Sequence, residues 1–251
     1  MEQKWLVQLT SASNACAKLI CLPYAGGNAA SFRSWAQASM PDVELLAIEL
    51  PGRGARMSER PYTSAEELIA ALTESIWPYL SQPFALFGHS MGSLIAFELA
   101  RSLRVRYGIV PMHLFVSAHR APHLPDTDPF TDRLPDHKFL AKIQALGGID
   151  THMFEHQEFV EHMLPTLRAD IALCKSYIYQ PSLPLECPIT AFCGEQDRSV
   201  SCTEIAGWET HTVNKWQLHS YTGGHFFIRE QQTPVLGVIH QALTQGIPVA
   251  Q

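Results

Sequence analysis

The sequence predicts an α/β fold, with a mostly parallel central sheet flanked by helices on both faces. Two observations carry that expectation. Short apolar runs rich in branched and aromatic residues alternate with longer segments of helical period, and each run stops at glycine, proline or a polar residue. At 251 residues, 46% apolar and 17% charged, the chain is long enough for one sizeable core and too apolar for a long disordered tail. A single domain spanning 1–251 is therefore expected.

The candidate strands are 5–9, 19–22, 43–50, 84–87, 114–117, 189–193 and 217–221. Residues 64–77 predict a helix: Ser64 is placed to cap it, Glu67 stands at the capping-box position, and Leu68, Leu72 and Ile76 recur at helical spacing before Pro78 stops it. Residues 91–106 predict a second, with Leu94, Ile95, Phe97 and Leu103 on its apolar face. The stretch 119–188 is too long for a simple crossover. It opens on a loop containing Pro122, Pro125, Pro129 and Pro135, then resumes helical patterns over 138–146 and 158–179. The expectation is a helical lid inserted into the sheet domain, the alternative being a small separate domain. Leu140, Ile143, Met153, Phe154, Phe159 and Met163 are expected to supply its apolar faces.

The chemistry concentrates at Gly88-His89-Ser90-Met91-Gly92, between the apolar strand 84–87 and the helix that begins at Met91. A serine on a sharp strand-to-helix turn needs a glycine on either side, because a side chain there would strike the neighbouring strand or helix. That places Ser90 as a nucleophile, with the Met91 amide at the helix N-terminus free to stabilise an oxyanion. A second donor is expected from the loop after strand 19–22, Pro23-Tyr24-Ala25-Gly26-Gly27, at the Ala25 amide. Serine attacks only when a base takes its proton, so an acid and a histidine should follow in that chain order. Asp197 lies just past strand 189–193, with Glu195 as the competing acid; His225 lies in Gly223-Gly224-His225-Phe226-Phe227, after the last strand. His89, His211, His219 and His240 are worse placed for a base. Arg53 and Arg56 either meet an anionic substrate arm or, the preferred reading, bind the protein's own carboxylates and carbonyls.

The net charge of −6 argues against general attraction to nucleic acid or to an anionic membrane. The start carries no basic leader before an apolar run, and no run of about 18 apolar residues occurs, so neither targeting nor membrane anchoring is expected. The six cysteines are far apart, form no CxxC pair and read as free, buried thiols suited to a reducing cytoplasm. His152 and His156 have metal-ligand spacing on a helix but no evident partner, so no metal site is expected.

Pro23-Tyr24-Ala25-Gly26-Gly27, Phe32-Arg33-Ser34-Trp35, Leu50-Pro51-Gly52-Arg53-Gly54, Gly88-His89-Ser90-Met91-Gly92, Ala121-Pro122-His123-Leu124-Pro125, Leu164-Pro165-Thr166-Leu167-Arg168-Ala169-Asp170 and Gly223-Gly224-His225-Phe226-Phe227 together resemble the type II thioesterases. These are the free-standing thioesterases that accompany modular peptide and polyketide synthases, and the resemblance covers nearly the whole chain in order. It implies an α/β-hydrolase fold with a helical lid, a catalytic triad of Ser90, Asp197 and His225, and oxyanion donors at Ala25 and Met91. It further implies hydrolysis of acyl thioesters from the phosphopantetheine arm of a carrier protein, in an editing role, without metal or bound cofactor. The implied partners are acyl or peptidyl carrier domains, approached by a monomer through a local basic or apolar patch near the lid and the 53–60 loop. A small-molecule carboxylesterase, an acyltransferase and a binding protein on a hydrolase scaffold remain as other readings of the same residues.

Overall fold

The computed structural model describes residues 5–244, apart from 13, 14, 39, 82 and 150. Its strands are β1 (Leu6–Gln8), β2 (Ala17–Leu22), β3 (Val43–Ile48), β4 (Phe84–His89), β5 (His113–Ser117), β6 (Ile189–Gly194) and β7 (Trp216–Tyr221). They form one sheet in the order β1-β3-β2-β4-β5-β6-β7. β1 runs antiparallel to β3, and every other neighbouring pair is parallel. The helices are α1 (Ala65–Ile76), α2 (Met91–Tyr107), α3 (Asp136–Leu146), α4 (Gln157–Ser176), α5 (Cys202–Ala206) and α6 (Gln232–Thr244). This is the α/β architecture that the alternating pattern predicts.

The strands read as continuous apolar runs because the sheet is buried on both faces. Side chains alternate along β2 and β4: Ile20, Leu22, Phe84 and Leu86 face the layer of α1 and α2, where Leu68, Leu72, Ile95 and Leu103 meet them. Leu19, Cys21, Ala85 and Phe87 face the opposite layer, packed against Phe32, Trp35, Val235 and Ile239. Ser64 caps α1, its Oγ accepting the Glu67 N–H at 3.4 Å. Gly108, left-handed at φ 66°, ends α2.

Between β5 and β6 the chain leaves the sheet to form α3, a 3-10 turn (Thr151–Glu155) and α4, and comes back through an extended stretch. Phe139 and Ile143 of α3, Leu167 of α4 and Phe130 from the preceding loop form a small apolar cluster of their own. The helix expected over 158–179 stops at Ser176; Tyr177 departs from it to donate its hydroxyl to Glu98 of α2 at 2.6 Å.

The cysteine reading requires correction. Cys193, at the end of β6, and Cys202, at the start of α5, are joined by a disulfide with Cα atoms 5.5 Å apart. The loop between them turns back on itself, so residues nine apart become neighbours, which linear spacing does not reveal. Cys16, Cys21, Cys174 and Cys187 are free, and burial pushes the Cys174 and Cys187 thiols up to about 12.

Candidate active site

Ser90 sits between β4 and α2 with φ 54° and ψ −122°, a left-handed conformation that a non-glycine residue rarely adopts. The surroundings explain how it is held. A Cβ on Gly88 would lie 2.1 Å from the Gly92 carbonyl oxygen, and one on Gly92 would lie 2.1 Å from the Leu22 carbonyl oxygen. Only glycine permits this approach of α2 to β2 and β4. Ser93 braces the turn: its Oγ lies 2.8 Å from both the Gly88 and Ser117 carbonyl oxygens and accepts the Ser117 N–H at 2.9 Å.

His225 Nε2 is 2.9 Å from Ser90 Oγ, and His225 Nδ1 is 2.7 Å from Asp197 Oδ2. Three loops at the carboxyl ends of β4, β6 and β7 thus meet in one hydrogen-bonded chain, the location where open α/β sheets place their sites. His225 is 8% exposed and the Asp197 side chain 1%, so the contact between those two is shielded from water, while Ser90 faces the cavity. Burial works against the Asp197 charge, but hydrogen bonds from His225 and Ser199 and the His225 charge outweigh it and hold the carboxyl below its usual range. Glu195, the competing acid, is exposed, its backbone N–H bound to the Tyr221 carbonyl.

The other histidines fall elsewhere. His219 lies on β7 and His240 on α6. His211 pairs with His123 at 2.8 Å. His89 is fully buried, its Nδ1 2.9 Å from Ser117 Oγ, and burial lowers its basicity further.

The Met91 amide opens α2, and the Ala25 amide lies in the turn after β2. Neither has a hydrogen-bond partner among the described residues, and both residues line the same cavity as Ser90 and His225. That cavity measures roughly 760 Å³, a size suited to a small-molecule or acyl ligand. Of the apolar residues expected from the inserted helices, Ile143, Phe159 and Met163 line it. Leu140, Met153 and Phe154 do not; Phe154 packs on the cluster of Phe130, Phe139, Ile143 and Leu167, and Met153 is 37% exposed.

Sequence reasoning missed Ser199. Its hydroxyl donates to Asp197 Oδ1 at 2.6 Å and lies 3.0 Å from His225 Nδ1, while its N–H donates to the same Oδ1 at 2.8 Å. The only signal was a small hydroxylated residue two places after the acid, a common turn pattern.

Arg53 and Arg56 behave as the preferred reading has it. Arg53 grips Asp170, and Arg56 binds Glu59 and the Glu49 carbonyl while lying over the Trp5 ring. Both are buried, at 6% exposure, which removes them from the docking patch anticipated over 53–60. Among the described residues no group of three or more His, Cys, Asp or Glu is placed to hold a metal, and no helix is long and apolar enough to cross a membrane.

Fold and site together set the Ser90–His225–Asp197 hydrogen-bonded chain at the carboxyl end of a mostly parallel α/β sheet. The sequence profile described as "Thioesterase domain" matches residues 17–243, and the chain belongs to that family of thioester hydrolases. Thioesterase PikA5 of Streptomyces venezuelae is 37% identical over 98% of this chain and 89% of its own. The gramicidin S biosynthesis protein GrsT of Aneurinibacillus migulanus is 39% identical over 91% of this chain and 90% of its own. The solved structure of BorB, the type II thioesterase from the borrelidin biosynthetic cluster, superposes with a TM-score of 0.88 at 37% identity, covering 95% of this chain and 97% of that one.

Proposed function

We propose that this chain is a type II thioesterase that hydrolyses acyl thioesters from the phosphopantetheine arm of carrier domains in a peptide or polyketide synthase, clearing stalled or wrongly primed units. The observation that carries the reading is the Ser90–His225–Asp197 hydrogen-bonded chain opening on a cavity roofed by α3 and α4. The chain acts as one hydrolase domain, with 119–188 as its lid.

His225 Nε2 takes the Ser90 proton as Oγ attacks the thioester carbonyl, and the Ala25 and Met91 amides hold the oxyanion. Collapse of the tetrahedral intermediate breaks the C–S bond; His225 returns the proton to the leaving thiol, and an acyl-Ser90 ester remains. Water, deprotonated by His225, then attacks that ester; the acyl C–Oγ bond breaks, His225 returns the proton to Ser90 Oγ, and the acid departs. Asp197 keeps the Nδ1 proton on His225 and stabilises the imidazolium without itself being protonated. None of these steps calls for a metal or bound cofactor.

The test offers one acyl group on carrier protein, on coenzyme A, on a free pantetheine analogue and as an oxygen ester. Greatest kcat/KM on the carrier is expected, because docking supplies remote contacts that position the carbonyl. Equal efficiency on carrier and free analogue would overturn the carrier-directed reading, and faster turnover of the oxygen ester would indicate a carboxylesterase. Transfer of the acyl group to an added alcohol or amine in preference to water would indicate an acyltransferase.

A further inference from the structure

Three consecutive amides follow β2 at the mouth of the site: those of Ala25, Gly26 and Gly27. The Gly27 N–H is taken by the Tyr24 carbonyl at 2.8 Å. The Gly26 N–H is taken by a side chain from the inserted helices, Asp170 of α4, whose Oδ2 accepts it at 2.7 Å. Ala25 alone keeps its N–H for a ligand among these three.

Asp170 is 1% exposed and held by a two-pronged contact, Arg53 Nη1 to Oδ2 at 2.7 Å and Nη2 to Oδ1 at 2.6 Å. Arg53 Nη1 also reaches the Gly27 carbonyl at 3.3 Å, so the same pair fixes the loop on both sides of Gly26. Gly26 is left-handed at φ 76°, and a Cβ there would lie 2.5 Å from Leu167 Cδ2. The loop is therefore shaped against α4 as well as bonded to it. A bare carboxylate this close to an oxyanion hole would oppose the charge that develops there; the Arg53 guanidinium cancels it.

We propose that Asp170, neutralised by Arg53, is a positioning residue for the oxyanion hole: it withdraws the Gly26 N–H, leaves the Ala25 N–H aimed at the reacting carbonyl, and couples that amide to the inserted helices. The proposal rests on the assignment of Ala25 and Met91 as the oxyanion donors. Its consequence is that movement of α4 changes transition-state stabilisation as well as access.

The test uses the full chain and three probes: an acyl-pantetheine analogue, a trifluoromethyl ketone that forms a hemiketal with Ser90, and a thioether in which a methylene replaces the carbonyl. In Asp170→Asn, kcat and fluoroketone affinity should fall together by about 10²-fold while KM and thioether affinity stay within about threefold, because only the oxyanion contact is lost. Arg53→Lys keeps the charge but loses the fork, and should show the same pattern with about a tenfold loss. The pH midpoint of kcat should not move in either variant. Wild-type kcat, a matching loss of thioether affinity, or a displaced pH midpoint would each overturn the proposal.

Should neither variant fold, the wild-type protein still decides it by NMR. On hemiketal formation the Ala25 amide proton should shift downfield and the Gly26 amide proton should stay in place; the reverse would overturn the proposal. Absence of any hemiketal on the wild-type protein would instead remove the Ser90 assignment, which is a separate failure.

Discussion

Gly92 lies so close beneath Leu22 that a methyl group on its Cα would sit 2.1 Å from the Leu22 carbonyl oxygen. The contact is backbone to backbone, so no side-chain rotation relieves it. Gly92→Ala should therefore push α2 away from β2, lower stability by at least about 1–3 kcal/mol and misplace Ser90. Urea denaturation and turnover would both register the change; a variant that unfolds and turns over like the native protein would show that the contact is softer than the geometry states.

Ser90→Ala should abolish hydrolysis by several orders of magnitude, on the order of 10³-fold or more, with near-native circular dichroism. Ser90→Gly should be just as inactive yet more stable than Ser90→Ala by about 1 kcal/mol, because glycine adopts the positive φ without strain. Comparison of thermal midpoints for the two variants provides the check. Native-like turnover in either variant would place the nucleophile elsewhere.

Asp197→Asn should reduce kcat by about 10⁴-fold by releasing His225 from its working tautomer. Glu195→Gln should change kcat by less than about twofold, since an exposed residue away from His225 supplies no such contact. Ser199→Ala removes one hydrogen bond to Asp197 Oδ1 and should cost about tenfold, roughly the worth of a bond to a charged group. If Glu195→Gln is the most damaging of the three, the acid is misassigned.

His113, His119 and His211 are each pushed down to about 4, with burial as the leading cause. In the unfolded chain they return to about 6.5. Between those values the unfolded state binds protons that the folded state refuses, so this contribution to stability is present above about pH 6.5 and is lost as the pH falls towards 4. The slope should approach up to about 1.4 kcal/mol per pH unit for each histidine. Chemical denaturation at several pH values from 6.5 to 4.5 reads it, and a flat profile would mean that these imidazoles protonate freely in the native protein.

The strands and the nucleophile turn were legible because their signals are local. Burial on both faces leaves continuous apolar runs, and the turn needs its two glycines within five residues. Boundaries were less legible where a terminator residue continues the ladder: Gly88 and His89 still pair with Val116 and Ser117, so β4 outlasts the run 84–87. At the other end, β3 stops at Ile48, the residue opposite Leu6, although the apolar pattern runs on to Leu50. For the candidate acid the sequence favours Asp197 over Glu195 without excluding the latter, because direction within a loop is set by turn geometry. Asp170 appeared within a recognisable run, but its partners Gly26 and Arg53 are 144 and 117 positions away, and no periodicity announces such a contact.

The same separations bear on how the chain acquires activity. Ser90 and His225 are 135 positions apart, and their contact exists only after β4, β6 and β7 lie in register. Helices form from near neighbours and can appear early, whereas contacts between distant residues must first overcome the entropy of closing long loops. On dilution from denaturant, helical circular dichroism should return well ahead of turnover, with a lag between the two. A partly folded chain would carry every residue of the site and still be inert, becoming a working catalyst only once β7, the last strand, has docked on β6.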